Sequence, residues 1–234
     1  MSRYFTFVGW ISYTFIIFSF RFLPMPAQPE NWNIVISGAW NLAILTPDGI
    51  RKRLFGLPEG TPLQLEIAID RPGPFRVIHD GVIVAPSSQL LEVAVQTHDL
   101  ASLEKASHIG QTALEALPET PVAAAGINIR YAVKPLPDEL IDLLKTPIDD
   151  AYSDEGFTIA GALTQRSLAH PPGVVNVEIS QDKEGGGTVS MNFHCPSSSP
   201  DELRQWLTKA SEFWEVAQRL LTVMKIPIQQ ETQQ

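Results

Sequence analysis

Alternation of apolar and polar residues with a period of two, broken repeatedly by turn residues, constrains this chain more than any other feature. From Asn33, the residues Ile34, Ile36, Gly38, Trp40, Leu42 and Ile44 fall on one side. Asn33, Val35, Ser37, Ala39, Asn41 and Ala43 fall on the other. Successive strand residues point to opposite faces, so the pattern predicts a long strand with one buried face. PLQLEIAID, LLEVAVQ and AAGINIRYAV read the same way, as do FTIAGALTQRSLA, GVVNVEIS and TVSMNFHC. FRVIHDGVIVAP reads as a hairpin with Asp80-Gly81 at its tip, a pair suited to the positive φ values of a two-residue turn.

Helices are expected between these stretches. Thr46-Pro47-Asp48 caps and opens a short one that Gly56 stops,. Leu100, Leu103, Ala106, Gly110, Ala113, Leu114 and Leu117 form the apolar lane of a helix from about Asp99 to Leu117,. LPDELIDLLKT gives another short helix. A single long helix is expected from about Pro200 to Lys225, capped by Ser199,. Its lane Leu203, Leu207, Ala210, Trp214, Ala217, Leu221 and Met224 should pack on a sheet. A second lane, Trp206, Phe213 and Leu220, should then meet another subunit. A strand, then Pro-Asp, then a helix recurs at Pro47, Pro137 and Pro200. Helix-capping chemistry accounts for that echo without invoking a duplication. The expected fold is α+β, mainly antiparallel sheets covered by helices, ending in a long amphipathic C-terminal helix.

The chain divides on composition. Residues 1–24 form an apolar N-terminal extension with no charge between Arg3 and Arg21. The preferred reading takes Met25 as the true start. A single-pass membrane anchor through residues 4–23 is the next alternative, since the stretch only meets the lower limit for a spanning helix. A signal peptide or a buried strand comes third. An α+β subdomain at 25–147, an acidic linker at 148–156, a βββα subdomain at 157–225 and a disordered tail at 226–234 complete the expected layout.

No stretch carries a catalytic or cofactor motif, so no cofactor and no metal is expected. Gly185-Gly186-Gly187 lies between strands and lacks the Lys-Ser/Thr of a phosphate loop,. The five histidines, His79, His98, His108, His170 and His194, show no metal-ligand spacing,. Cys195 beside His194 suggests a nucleophile and its base. Strand alternation opposes that, because it puts Cys195 with Met191 and Phe193 on the apolar face. On the other face, pairing of the last two strands would gather Asn176, Glu178, Ser190, Asn192 and His194 into a polar patch. Arg51-Lys52-Arg53 reads as the cationic end of a short helix. Asp138 and Asp142 read as an exposed helix face.

The net charge of −9 over 234 residues argues against nucleic-acid binding,. A single cysteine excludes an internal disulfide and permits a reducing compartment,. The functional expectation is a non-catalytic, cytoplasmic protein-interaction or oligomeric assembly subunit. Self-association is expected through Trp206, Phe213 and Leu220, with Asn192 and His194 as further contact residues. The alternatives are a hydrolase-like enzyme built around His194 or His170 and a membrane-anchored binding protein.

Overall fold

The period-two stretches become strands of one antiparallel sheet. The structure, a computed structural model, describes residues 26–67 and 75–228. The apolar segment 4–23 and residues 229–234 lie outside the described residues. Among those described there are nine strands and six helices, a mixed α+β fold. No helix among them is long and apolar enough to cross a membrane.

The strands are β1 (Gln28–Gly38), β2 (Gln64–Glu66), β3 (Arg76–His79), β4 (Val82–Pro86), β5 (Leu90–Val95), β6 (Val122–Val133), β7 (Gly161–His170), β8 (Gly173–Asp182) and β9 (Gly187–Pro196). The helices are α1 (Pro47–Arg53), α2 (Leu100–Ala116), α3 (Asp138–Leu144), α4 (Asp149–Asp154), α5 (Pro200–Leu207) and α6 (Ala210–Val223). The sheet order is β2-β3-β4-β5-β1-β6-β9-β8-β7.

Local chemistry explains most boundaries. Thr46 caps α1 by accepting from Gly49 N at 3.1 Å, and Asp99 caps α2 by accepting from Ser102 N at 2.7 Å,. Asp80 and Gly81 both have positive φ, 46° and 75°, as the expected β3–β4 turn requires,. β1 ends earlier than its alternation predicts, at Gly38. Asn41 intervenes: its Oδ1 accepts from Ala43 N and its carbonyl from Ile44 N and Leu45 N, which curls the chain into a turn,. Arg51, Lys52 and Arg53 form the cationic last turn of α1, as expected, but Arg51 is not left on the surface. It folds inward, 6% exposed, onto Asp48 Oδ1 and the Leu57 carbonyl.

The chain follows one path twice. β1, α1, the meander β3-β4-β5 and α2 make the first pass; β6, α3, the meander β7-β8-β9 and α5 make the second. In each, the last meander strand returns beside the first strand, giving the orders β3-β4-β5-β1 and β6-β9-β8-β7. The two units meet back to back at β1 and β6, which pair antiparallel. Pro47-Asp48 and Pro137-Asp138 open the matching helices α1 and α3, and Pro200-Asp201 opens α5, the counterpart of α2. The repeated strand order is a structural repeat, and the Pro-Asp echo coincides with it at α1 and α3 but not at α5, whose counterpart α2 opens on Asp99-Leu100. The acidic stretch 148–156 holds α4 and lies inside the second pass, joining α3 to β7.

Helices cover one face of this sheet. Ile34, Ile36, Val93, Ile127, Ile129, Met191 and Phe193 point into the core, none more than 1% exposed. A Cβ on Gly110 would stand 3.1 Å from Leu207 and 3.3 Å from Ile34, so α2 is wedged against both β1 and α5. Leu140 and Leu144 of α3 bury themselves in the same layer. Ile226 is also core, and Ala27 N donates to the Pro227 carbonyl at 2.8 Å, so the fold extends into the segment expected to be a tail.

The long C-terminal helix is instead two short ones. Between them the Ser107 hydroxyl of α2 donates to the Leu207 carbonyl, and Lys209 N closes a tighter turn on the Trp206 carbonyl at 3.2 Å. A side chain inserted at a helix carbonyl is a recognised cause of a break. The break redirects α6, whose buried stripe is Ala210, Phe213, Ala217 and Leu221.

Candidate functional site

The uncovered face of the sheet carries the polar half of every alternation. β8 and β9 pair as the sequence predicts, with Asn176 opposite Asn192, Glu178 opposite Ser190 and Val174 opposite His194. The structure extends this patch on both sides. β6 brings Asn128 opposite Asn192 and Arg130 opposite Ser190, β1 brings Asn33 opposite Asn128, and β7 brings Ser167 and Gln165 opposite Asn176 and Glu178. Sequence reasoning missed Asn33, Asn128, Arg130, Gln165 and Ser167 as members of one site. Their polar side in each alternation was visible; their adjacency depends on strand order.

Across six strands these side chains form a hydrogen-bond relay. Ser167 Oγ donates to Asn176 Oδ1 at 2.7 Å. Asn176 Nδ2 donates to Asn192 Oδ1 at 3.3 Å, and Asn192 Nδ2 to Asn128 Oδ1 at 2.6 Å. Asn128 Nδ2 donates to Asn33 Oδ1 at 2.6 Å, and Asn33 Nδ2 to Glu92 Oε1 at 2.6 Å. All five bonds run in one direction, and the last acceptor explains why. An ionised carboxylate can only accept, so Asn33 must offer its amino group to Glu92 and its carbonyl to β6. That choice orients Asn128, then Asn192, then Asn176 in turn. Hydrogen bonds polarised head to tail reinforce one another. Each amide spends one N–H and one lone pair within the relay and keeps one of each for another partner.

A second polar row runs alongside, two residues further along each strand. Here Arg130 Nε donates to Ser190 Oγ at 3.0 Å. Glu178 and Gln165 sit opposite each other, and their side chains make no hydrogen bond among the described residues. The two rows line a groove of about 380 Å³, within the usual size of ligand sites. Asn31 closes one end, at a bulge where β1 carries an extra residue and Asn31 adopts φ 52°. Bulges re-aim side chains and recur beside binding sites.

Beyond Asn31 and Asn33 a second hollow, about 200 Å³, reaches Glu92, Arg76 and His98. His98 packs edge-on against Trp32, with ring centroids 5.8 Å apart. Burial lowers its pKa below the usual imidazole value, while Glu30 and Asp99 pull the other way.

The sequence-predicted residues separate into two groups. Asn192 lies at the centre of the groove, with His194 next along the same face of β9. Trp206 and Phe213, expected as an outward lane, are 1% and 0% exposed and lie within this chain. Trp206 Nε1 donates to the Phe193 carbonyl at 3.1 Å, and Phe213 stacks on Phe193 with centroids 4.6 Å apart. Both side chains are therefore packed inside this chain against Phe193 rather than presented to another subunit. Leu220 is half-buried against the core. His170 faces the helices, its ring against Trp206 and Phe213 and its Nε2 3.2 Å from Glu212. His170 and His194 therefore lie on opposite faces of the sheet. Cys195 is 1% exposed, and burial first, then Glu202, pushes its thiol pKa up.

No protein-family model matches this chain, and no curated protein matches it. The chemistry of the face carries the functional reading. Among the described residues lining the groove there is one carboxylate, Glu178, one guanidinium, Arg130, and no histidine, cysteine or lysine. Such a lining can orient and hold a molecule.

Proposed function

We infer that this chain is a non-catalytic binding protein whose recognition surface is the open face of its sheet. The relay from Ser167 to Glu92, with the unpaired side chains of Glu178 and Gln165 beside it, supports this reading. Five aligned bonds hold four amides rigid before anything binds, and preorganised groups cost less to engage than mobile ones. The reading keeps the protein cytoplasmic and without a nucleic-acid partner. The test is thermal stabilisation by a mixed library of sugars, peptides and metabolites, run on wild type and on Gln165→Arg/Glu178→Arg. A ligand at 100 times its Kd stabilises by about 2.7 kcal/mol. Ligands whose stabilisation disappears in the double variant support the face as the site. Stabilisation indifferent to the variant, or none at all, places the function elsewhere.

A second reading, assembly from copies of this chain, is favoured by the edge strand β7. It is ten residues long, contains neither Lys nor Pro, and exposes Leu163 and Leu168, at 61% and 41%. Long edges without such protection pair with other strands. The opposite edge, β2, has only three residues. Light scattering decides this reading: a dimer that Leu163→Lys/Leu168→Lys converts to a folded monomer supports it, and a monomeric wild type removes it.

A further inference from the structure

We propose that the groove binds a neutral polyhydroxylated ligand, a saccharide chain lying across the strands along the asparagine row. This rests on reading the open face as the recognition surface, and adds the class of ligand.

Charge narrows the choice first. The groove sets one cation, Arg130, against one carboxylate, Glu178, and the relay ends on a second carboxylate, Glu92. In a chain of net charge −9, that balance repels polyanions such as nucleic acid or sulfated polymers. Apolar ligands are also disfavoured. Ile129 and Met191 line the groove, yet their side chains are 0% and 1% exposed and turned to the helices, so they offer it backbone.

Hydrogen-bond chemistry then selects among neutral polar ligands. Each of Asn33, Asn128, Asn176 and Asn192 retains one donor and one acceptor, side by side. A hydroxyl group both donates and accepts, so neighbouring hydroxyls on one ring match an amide in both senses. The unpaired side chain of Glu178 is a strong acceptor for hydroxyls, because bonds to a charged group are roughly twice as strong as neutral ones. Arg130 donates once to Ser190 and keeps further N–H groups for ring or hydroxyl oxygens,.

Spacing opposes the nearest competitor, an extended peptide. The amides repeat once per strand, about every 4.8 Å. Peptide groups along an extended chain repeat about every 3.4 Å and point alternately to either side. A peptide crossing the strands falls out of step with the row. Saccharide hydroxyls, distributed around each ring, need no such alternation.

The test is side-chain amide NMR. Asn33, Asn128, Asn176 and Asn192 are followed while isotope-labelled full-length protein is titrated with cellohexaose, chitohexaose and maltohexaose. A heparin fragment and a Gly-Ser-Thr peptide are titrated in parallel. The expected result is saturable shifts of these four amides with at least one neutral oligosaccharide. The nearly isosteric variant Glu178→Gln, folded by circular dichroism, should weaken that binding about tenfold. Shifts caused only by heparin or the peptide overturn the ligand class and leave the open face as the recognition surface. Silence from every probe also overturns the ligand class; the library comparison on Gln165→Arg/Glu178→Arg then decides separately whether the face binds anything. Oligosaccharide shifts confined to residues outside the groove overturn the site.

Discussion

Asn33 of β1 and Asn128 of β6 face each other across the seam between the two halves of the sheet, Asn128 Nδ2 donating to Asn33 Oδ1 at 2.6 Å. Ninety-five residues apart in sequence, they join the amides of the second half to the Glu92 carboxylate of the first. The relay is thus a consequence of the two units meeting back to back, and disturbing it has measurable effects.

Gly126 guards the middle of the relay. A Cβ there would lie 2.9 Å from Asn192 Nδ2, the mobile end of a side chain. Gly126→Ala should therefore displace the Asn192 amide rather than the backbone. In wild type, Asn192→Ala should cost about 1–2 kcal/mol for its two lost bonds. In the Gly126→Ala background the same substitution should cost almost nothing. Urea denaturation of the four proteins gives the coupling, and additive effects would show that Asn192 and Gly126 do not share the contact.

Phe213 and Trp214 should exchange the importance that sequence spacing assigns them. Phe213 is fully buried between Phe193 and Trp206, with centroids 4.6 Å from each. Phe213→Ala should cost about 3–5 kcal/mol, and Phe213→Glu should unfold the chain. Trp214 only packs partly against the core, so Trp214→Ala should cost about 1–2 kcal/mol. Equal losses would mean that α6 is rotated from its described position.

Cys195 should behave as a core atom. Burial pushes its thiol pKa up and Glu202 adds to the effect, with Lys209 opposing. The thiolate is the reactive form, so native protein at neutral pH should react with a thiol reagent far more slowly than protein in urea. Cys195→Ala should lower stability by about 1 kcal/mol. Rapid native labelling would revive Cys195 as a reactive group.

His98 should make stability depend on pH. Its folded pKa is lowered, chiefly by burial, so as pH falls through about 6.5 the unfolded chain takes up this proton first. The unfolded state then binds more protons, and stability falls with falling pH until the folded pKa is passed. Above about pH 6.5 the contribution of His98 is complete. Denaturation across this range should show a slope that His98→Gln reduces. An unchanged slope would assign it to other groups.

Much of this architecture is legible in the sequence because its causes are local. Thr46, Asp99 and Ser199 cap helices through bonds to a residue three positions on, and Asp80-Gly81 turns the chain with its own φ values. Period-two alternation places Cys195 inside and Asn176, Glu178 and Asn192 outside, because it depends only on which way neighbouring side chains point. Tertiary structure alone decided the rest. Whether β1 lies between β5 and β6, and therefore whether Asn33 meets Asn128, depends on the packing of two whole units. The division between α5 and α6 depends on a serine 100 residues away from the carbonyl it reaches. A helix pattern that runs unbroken through Thr208 contains no trace of Ser107, and strand alternation specifies a face without specifying a neighbour. Periodicity reports the environment of a residue, whereas register and order are set by long-range packing that no local stretch encodes.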